Sequence, residues 1–135
     1  MDIEHRIRES FDRQSMMTTL GARLVTVAPG AVSIEAAIRP DLMQQHGYAH
    51  AALAFAVGDS SAGYSALSVM PEGKEVVTAE MKIHLLAPAT GERLVARGRV
   101  VKPGRRLVIV TADVFAVTGE EEVHAALLTG TMIPI

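Results

Sequence analysis

The chain contains no cysteine. That excludes a disulfide framework, a thiolate metal site and a cysteine nucleophile. Aromatic residues amount to only 4%, so a core must be assembled from Ala, Val, Leu, Ile and seven Met. An excess of one charge is also missing: 13 Lys and Arg face 15 Asp and Glu, for a formal net charge of −2. A nucleic-acid-binding domain usually carries a basic footprint with a pI above about 9, so nucleic acid is not an expected partner. No long hydrophobic run is present. The longest weakly polar stretch, Tyr48 to Gly58, contains His50 and falls far short of the ~20 residues that span a bilayer. The N-terminus, MDIEHRIRES, is charged throughout and lacks the apolar run of a signal peptide. What remains is 135 residues, the size of one domain, expected to be cytoplasmic with no membrane partner.

The organisation follows from periodicity. Ile3, Ile7, Phe11 and Met16 predict one amphipathic helix over residues 1–17, packed on something larger. Arg23 to Val27 is a β-favouring run that stops at Pro29-Gly30, and Val32, Ile34, Ala36 and Ile38 alternate with Ser33, Glu35, Ala37 and Arg39, so the two runs predict a hairpin. From about Ala49 to Leu67 the chain is rich in Ala and apolar nearly all round, which predicts a helix buried on every side. Small residues at Gly58, Ala62 and Gly63 are read as a close-packing surface for a second backbone. Then come Val77, Ala79, Met81, Ile83 and Leu85, alternating with Thr78, Glu80, Lys82 and His84; Leu94 to Val101; Leu107 to Val117; and Val123 to Ile133. Short strand connections favour antiparallel pairing. The expected class is α+β, an antiparallel sheet of about six strands wrapped around one long central helix.

Three places carry chemistry. Asp59 is a carboxylate within the apolar helix, and a buried carboxylate is rare unless it is paired or used. Read from the residue alone, it is either functional or a hydrogen-bonded group at a subunit contact or exposed edge. Gln44-Gln45-His46-Gly47-Tyr48-Ala49-His50 crowds polar groups before the helix start. There, free N–H groups and the positive end of the dipole suit an oxyanion; the same residues also suit a capped loop. Lys102-Pro103-Gly104-Arg105-Arg106 is a basic turn, either a solvated hairpin tip or a phosphate-binding site.

The string QQHGYAHAALAFAVGDSSAGYSAL, with LGARLVTVAPGAVSIEAAI before it and TAEMKIHLLAPATGERLVARGRVVKPGRRLVIVTADVF after it, resembles the PaaI-like hotdog-fold acyl-CoA thioesterases from about Gln14 to Met132. The Gly47-x-x-His50 approach, Asp59 beyond the small apolar segment, and the Ala87-Pro88-x-x-Gly91-Glu92 turn agree in register. The resemblance implies a backbone N–H at Ala51 that polarises the thioester carbonyl. Here His50-Ala51-Ala52 replaces the family's usual His-Gly-Gly. It also implies an acidic catalytic group at Asp59, an orienting amide at Gln44 and a hydroxyl at Thr78. By strict alternation, however, Thr78 falls on the face of Glu80 and Lys82. His46, Gly47, His50 and Ala52 are the expected substrate-binding neighbours. Lys102, Gly104, Arg105 and Arg106 are candidates for the phosphates of CoA, which enters as part of the substrate, with no metal and no separate cofactor implied.

Ala51 and Asp59 are eight residues apart, roughly 12 Å along a helix that rises ~1.5 Å per residue. A base or nucleophile must stand within ~3–3.5 Å of the carbon it serves. The expected unit is therefore a homodimer with Asp59 of one subunit facing Ala51 of the other, paired further into a tetramer in many members of that family. The expected reaction is hydrolysis of a medium-chain or aryl acyl-CoA to the free acid and CoA. Asp59 acts as general base or forms a mixed anhydride, routes the sequence does not separate. Two other readings stand beside it. One is a non-catalytic acyl-CoA-binding hotdog protein. The other is a hotdog hydratase or dehydratase, whose His five residues after the Asp is here Tyr64.

Overall fold

The computed structural model describes residues 2–135. Two N-terminal helices, α1 (Ile3–Asp12) and α2 (Ser15–Leu20), precede the hairpin β1 (Arg23–Ala28) and β2 (Ala31–Ala37). A short 3-10 turn, Pro40–Leu42, leads into α3 (Ala51–Leu67). The chain ends in β3 (Val76–Leu85), β4 (Arg93–Pro103), β5 (Val108–Thr118) and β6 (Glu121–Pro134). All pairings are antiparallel, in one six-stranded sheet of order β1-β2-β4-β5-β6-β3. The sheet curves around α3, which packs across β4, β2, β5 and β3. This is the hotdog architecture expected from the sequence.

The hairpin turns at Pro29-Gly30, with Ala28 opposite Ala31 and Gly30 at φ 73°. The core is aliphatic: Val32, Ile34, Leu67, Leu94, Val110, Val114, Leu128 and Met132 are at most 1% exposed. Helix and sheet touch at backbone level. A Cβ at Gly98 in β4 would stand 2.4 Å from the Ser61 carbonyl oxygen, so only glycine fits.

Four expectations change. The helix read over residues 1–17 is two helices, broken where Gln14 adopts an extended backbone (φ −81°, ψ 97°). The break rotates Met17 and Leu20 into the core and leaves Met16 exposed. Gly58, Ala62 and Gly63 face this chain's own sheet. A Cβ at Gly58 would meet Leu128 at 2.7 Å, one at Gly63 would meet Met132 at 3.6 Å, and Ala62 is fully buried. The helix is not buried all round: Ala52 and Phe55 are exposed and Ala56 and Asp59 half-buried, a stripe at helical spacing. Finally, β3 does not alternate strictly. Thr78 lies opposite Met132 but Glu80 lies opposite Thr131, leaving Ala79 as an extra residue. Such a bulge flips the faces, so Val76 and Thr78 share the helix side with Met81 and Ile83.

Buried serines fasten α3 to the hairpin. Ser65 Oγ accepts from Val32 N at 2.9 Å and Ser68 Oγ from Gly30 N at 2.7 Å. Each hydroxyl in turn donates to a helix carbonyl, Ser61 and Ser65 respectively. Ser65→Ala strands the Val32 N–H in the core, which costs about 1–3 kcal/mol. Chemical denaturation should show that loss as a lower midpoint with an unchanged slope.

Candidate active site

The segment leading into α3 is held by short-range bonds. Gly47, at φ 82°, turns the chain after Gln44, and Gln44 Oε1 accepts from His46 N and Tyr48 N. Ala49 N donates to Ala89 O at 2.9 Å and His50 N to Leu42 O at 2.9 Å. Across the gap, Leu86 N and Ala87 N both donate to Ala125 O, at the residue that β6 carries in excess of β5. His50 is the N-cap of α3, and its Nδ1 accepts from Ala52 N at 2.9 Å.

This cap distributes the first amides of the helix. Ala52 N–H is held by the His50 ring and Leu53 N–H by the His50 carbonyl. Ala51 N–H has no partner among the described residues. Ala51 lines a cavity of about 360 Å³ together with Gln44, Tyr48, Ala54, Leu85 and Pro88. The residue that carries the free amide at the positive end of a 17-residue helix therefore lines a largely apolar cleft, as does Gln44. No non-glycine residue has a positive φ among the described residues, so Ala51 sits in this position without backbone strain.

His50 and Ala52 line a different cavity of about 290 Å³, with Met16, Leu20, Leu42 and Leu53. The structure thus does not bring the His50 ring or the Ala52 amide to the Ala51 cleft. His46 is exposed, its ring 6.5 Å from that of Tyr48.

Asp59 lies elsewhere. Its Oδ1 accepts from Thr78 Oγ1 at 2.8 Å, and Thr78 also approaches Met132 Sδ at 3.3 Å. The bulge at Ala79 is what turns Thr78 toward the helix. Burial pushes the Asp59 carboxyl above the usual carboxylate range, and the Thr78 hydrogen bond opposes that rise. No Lys or Arg pairs with Asp59 among the described residues. The carboxylate opens into a second cavity of about 250 Å³ that shares no lining residue with the Ala51 cleft. Its walls include Ser10, Gln14, Tyr64 and Glu75, none of which the sequence singled out for this role. The one pointer was Tyr64, which stands where a hydratase would place His.

The basic turn joins β4 to β5, with Lys102, Arg105 and Arg106 exposed. Gly104 is needed for a steric reason: a Cβ there would lie 2.3 Å from Leu107 O. Val108 and Thr78 both lie opposite Met132, from β5 and β3 on either side of β6. The turn therefore belongs to the Asp59 end of the sheet, far from Ala51 of the same chain.

One long helix held in a curved antiparallel sheet is the hotdog fold of thioesterases. The Thioesterase superfamily model matches residues 46–123, more than half of the chain, and the chain belongs to that family. A thioesterase family protein from Silicibacter pomeroyi is 43% identical, with 98% of each chain covered and a TM-score of 0.96. The PaaI protein from the phenylacetic acid degradation operon of E. coli is 16% identical, with 98% of this chain and 93% of that chain covered and a TM-score of 0.87. A thioesterase from Haemophilus influenzae is 19% identical, with 93% and 86% covered and a TM-score of 0.84. The last two likenesses are of fold.

Between the ordinary carboxylate value of 3.8 and its raised folded value, Asp59 in the native state keeps a proton that the unfolded chain has released. Its contribution to stability therefore falls as pH rises through that window, and the unfavourable part is complete above it. Asp59→Asn should raise Tm at neutral pH, with the gain shrinking as pH falls through the carboxylate range. Thr78→Val, which removes the opposing hydrogen bond, should extend the pH dependence of Tm to higher pH. A Tm difference independent of pH would contradict the burial of this carboxyl.

Proposed function

We propose that the protein hydrolyses an acyl-CoA thioester in the cytoplasm, at a site assembled from two subunits of a homodimer. One observation carries this reading: the free Ala51 amide and the Asp59 carboxylate stand on one helix but open into cavities with no lining residue in common. A single chain cannot present both to one carbonyl. The lone side of β3 is an unpaired sheet edge, and Val77, Leu85 and Leu86 are exposed along it and just beyond. Edges of this kind recruit another strand. A two-fold axis beside the middle of β3 would lay that strand antiparallel to its copy, setting the Thr78–Asp59 end of one subunit against the Leu85–Ala51 end of the other.

In such a dimer the Ala51 N–H polarises the thioester oxygen, helped by the helix dipole. Asp59, whose burial makes it a stronger base than a solvated carboxylate, takes a proton from water or attacks the carbonyl carbon itself. Gln44 retains its Nε2–H groups for substrate or water, its Oε1 being engaged by the loop. Lys102, Arg105 and Arg106, at the Asp59 end, meet the CoA phosphates. No metal enters this scheme.

Asp59→Asn should lower kcat by about 10²–10⁴ or more. Ala51→Pro removes the N–H while keeping a φ suited to a first helical turn, and should be equally inactive. Co-expressed mixed dimers contain one intact site of two, so about half of wild-type activity per dimer is expected in a thiol-release assay. No recovery in verified mixed dimers would refute the shared site. Thiol release itself distinguishes hydrolysis from simple acyl-CoA binding. Replacing Arg105 and Arg106 with Ala should raise KM for acyl-CoA about five- to tenfold, with little effect on a short thioester lacking the nucleotide. Equal loss on both substrates would remove the phosphate role.

A further inference from the structure

The cavity beside Asp59 has a wall that the family segment does not supply. Ser10, at the end of α1, and Gln14, at the break before α2, lie outside residues 46–123. Both reach Tyr64 of α3: Gln14 Nε2 donates to Tyr64 Oη at 2.8 Å, and Ser10 Oγ lies 3.1 Å from the same oxygen. All three line the cavity together with Asp59. The wall is fixed in place. Ile7 and Phe11 are buried, the Phe11 and Tyr64 rings lie 6.2 Å apart, and the Arg6 guanidinium donates to Leu67 O at the end of α3.

The cluster leaves hydrogen-bonding capacity unused. Gln14 Oε1 and the second Nε2–H have no partner among the described residues. The half-buried amide, which lines the cavity, thus has one acceptor and one donor free. A purely hydrocarbon tail would strip water from these groups and give nothing back. A hydroxyl can donate to Oε1 and accept from Nε2–H. A carboxylate meets the opposite situation: Asp59 and Glu75 both line the cavity and no Lys or Arg does, Arg13 standing 3.9 Å from Glu75 but outside the lining. At about 250 Å³ the space suits a short tail, since a cavity of about 150 Å³ accepts benzene.

Building on the thioesterase reading above, we propose that Ser10, Gln14 and Tyr64 form an acyl-recognition site that selects a neutral hydroxyl on the tail of the acyl group and disfavours a carboxylate there. Gln14 is the specificity-determining residue.

The test compares kcat/KM for hexanoyl-CoA, ω-hydroxyhexanoyl-CoA and adipoyl-CoA, which share one carbon skeleton. The wild type should prefer the hydroxyl form over hexanoyl-CoA by about tenfold, with adipoyl-CoA poorest. Gln14→Leu should bring the hydroxyl and unsubstituted forms to parity. Gln14→Met, close to Gln in shape without its amide, provides the same comparison should the Leu variant lose its cooperative melt. Hydrolysis of all three without hydroxyl preference overturns the recognition site and leaves the thioesterase intact. Equal slowing of all three substrates in the Gln14 variants also overturns it, since Gln14 then acts without regard to the tail. Absence of thiol release from these and a wider acyl-CoA panel overturns both readings together.

Discussion

A side chain at position 98 has nowhere to go, because the carbonyl of Ser61 lies where its Cβ would be. This contact between the backbones of α3 and β4 sets the spacing of the whole domain. It requires small residues where α3 crosses β4, and Ser61 and Ala62 stand there. It also allows hydroxyls at Ser65 and Ser68 to reach backbone N–H groups of the first hairpin. Once α3 is seated, its first turn projects between the Gln44–Tyr48 loop and the Leu86–Ala89 segment, and Asp59 falls opposite Thr78. The two chemical groups thus inherit their positions from how closely one helix fits one sheet.

The electrostatics of the two halves are complementary. At the helix start, His50 engages Ala52 and leaves a single amide free, so the partial positive charge of the helix end is presented at one point. At mid-helix, half-burial raises the proton affinity of a carboxylate, against the opposing effect of the Thr78 hydroxyl, its one hydrogen-bond partner among the described residues. A cation beside Asp59 would stabilise the charged form and lower its proton affinity; the cations of this end lie instead in the β4–β5 turn, where Lys102, Arg105 and Arg106 are exposed. The N-terminal helices complete the acidic half with neutral polar groups, so the same element that covers the end of α3 also shapes the cavity beside the carboxylate.

Much of the fold was legible in periodicity. The Pro29-Gly30 hairpin, the long apolar helix and the later antiparallel strands all follow from alternation and turn residues. Where the reading failed, a single local event broke the period. Ala79 bulges from β3 and reverses the faces of Thr78 and Val76. Gln14 interrupts the N-terminal helix with neither Pro nor Gly to mark the break. Such events are favoured by contacts distant in sequence, Thr78 with Asp59 and Gln14 with Tyr64, and leave no signature in the neighbouring residues. The small residues of α3 were recognisable as a close-packing surface, but composition does not state what packs there; the sheet of the same chain takes it.

By itself, the sequence determined the chemistry available: no thiol, one carboxylate within an apolar helix, a polar approach to that helix, and a basic turn. Each of these depends on residue type and local spacing, which the chain carries in one dimension. Tertiary structure alone decided their grouping. It left Ala51 rather than Ala52 with a free amide, because the His50 ring folds back on the helix. It turned Thr78 inward by one extra residue in an edge strand. It set Gln14 and Ser10 beside Tyr64, 50 and 54 residues away in the chain respectively. The reason is the same in each case: which face a side chain occupies is set by the packing of helix against sheet, a long-range constraint that no window of sequence contains.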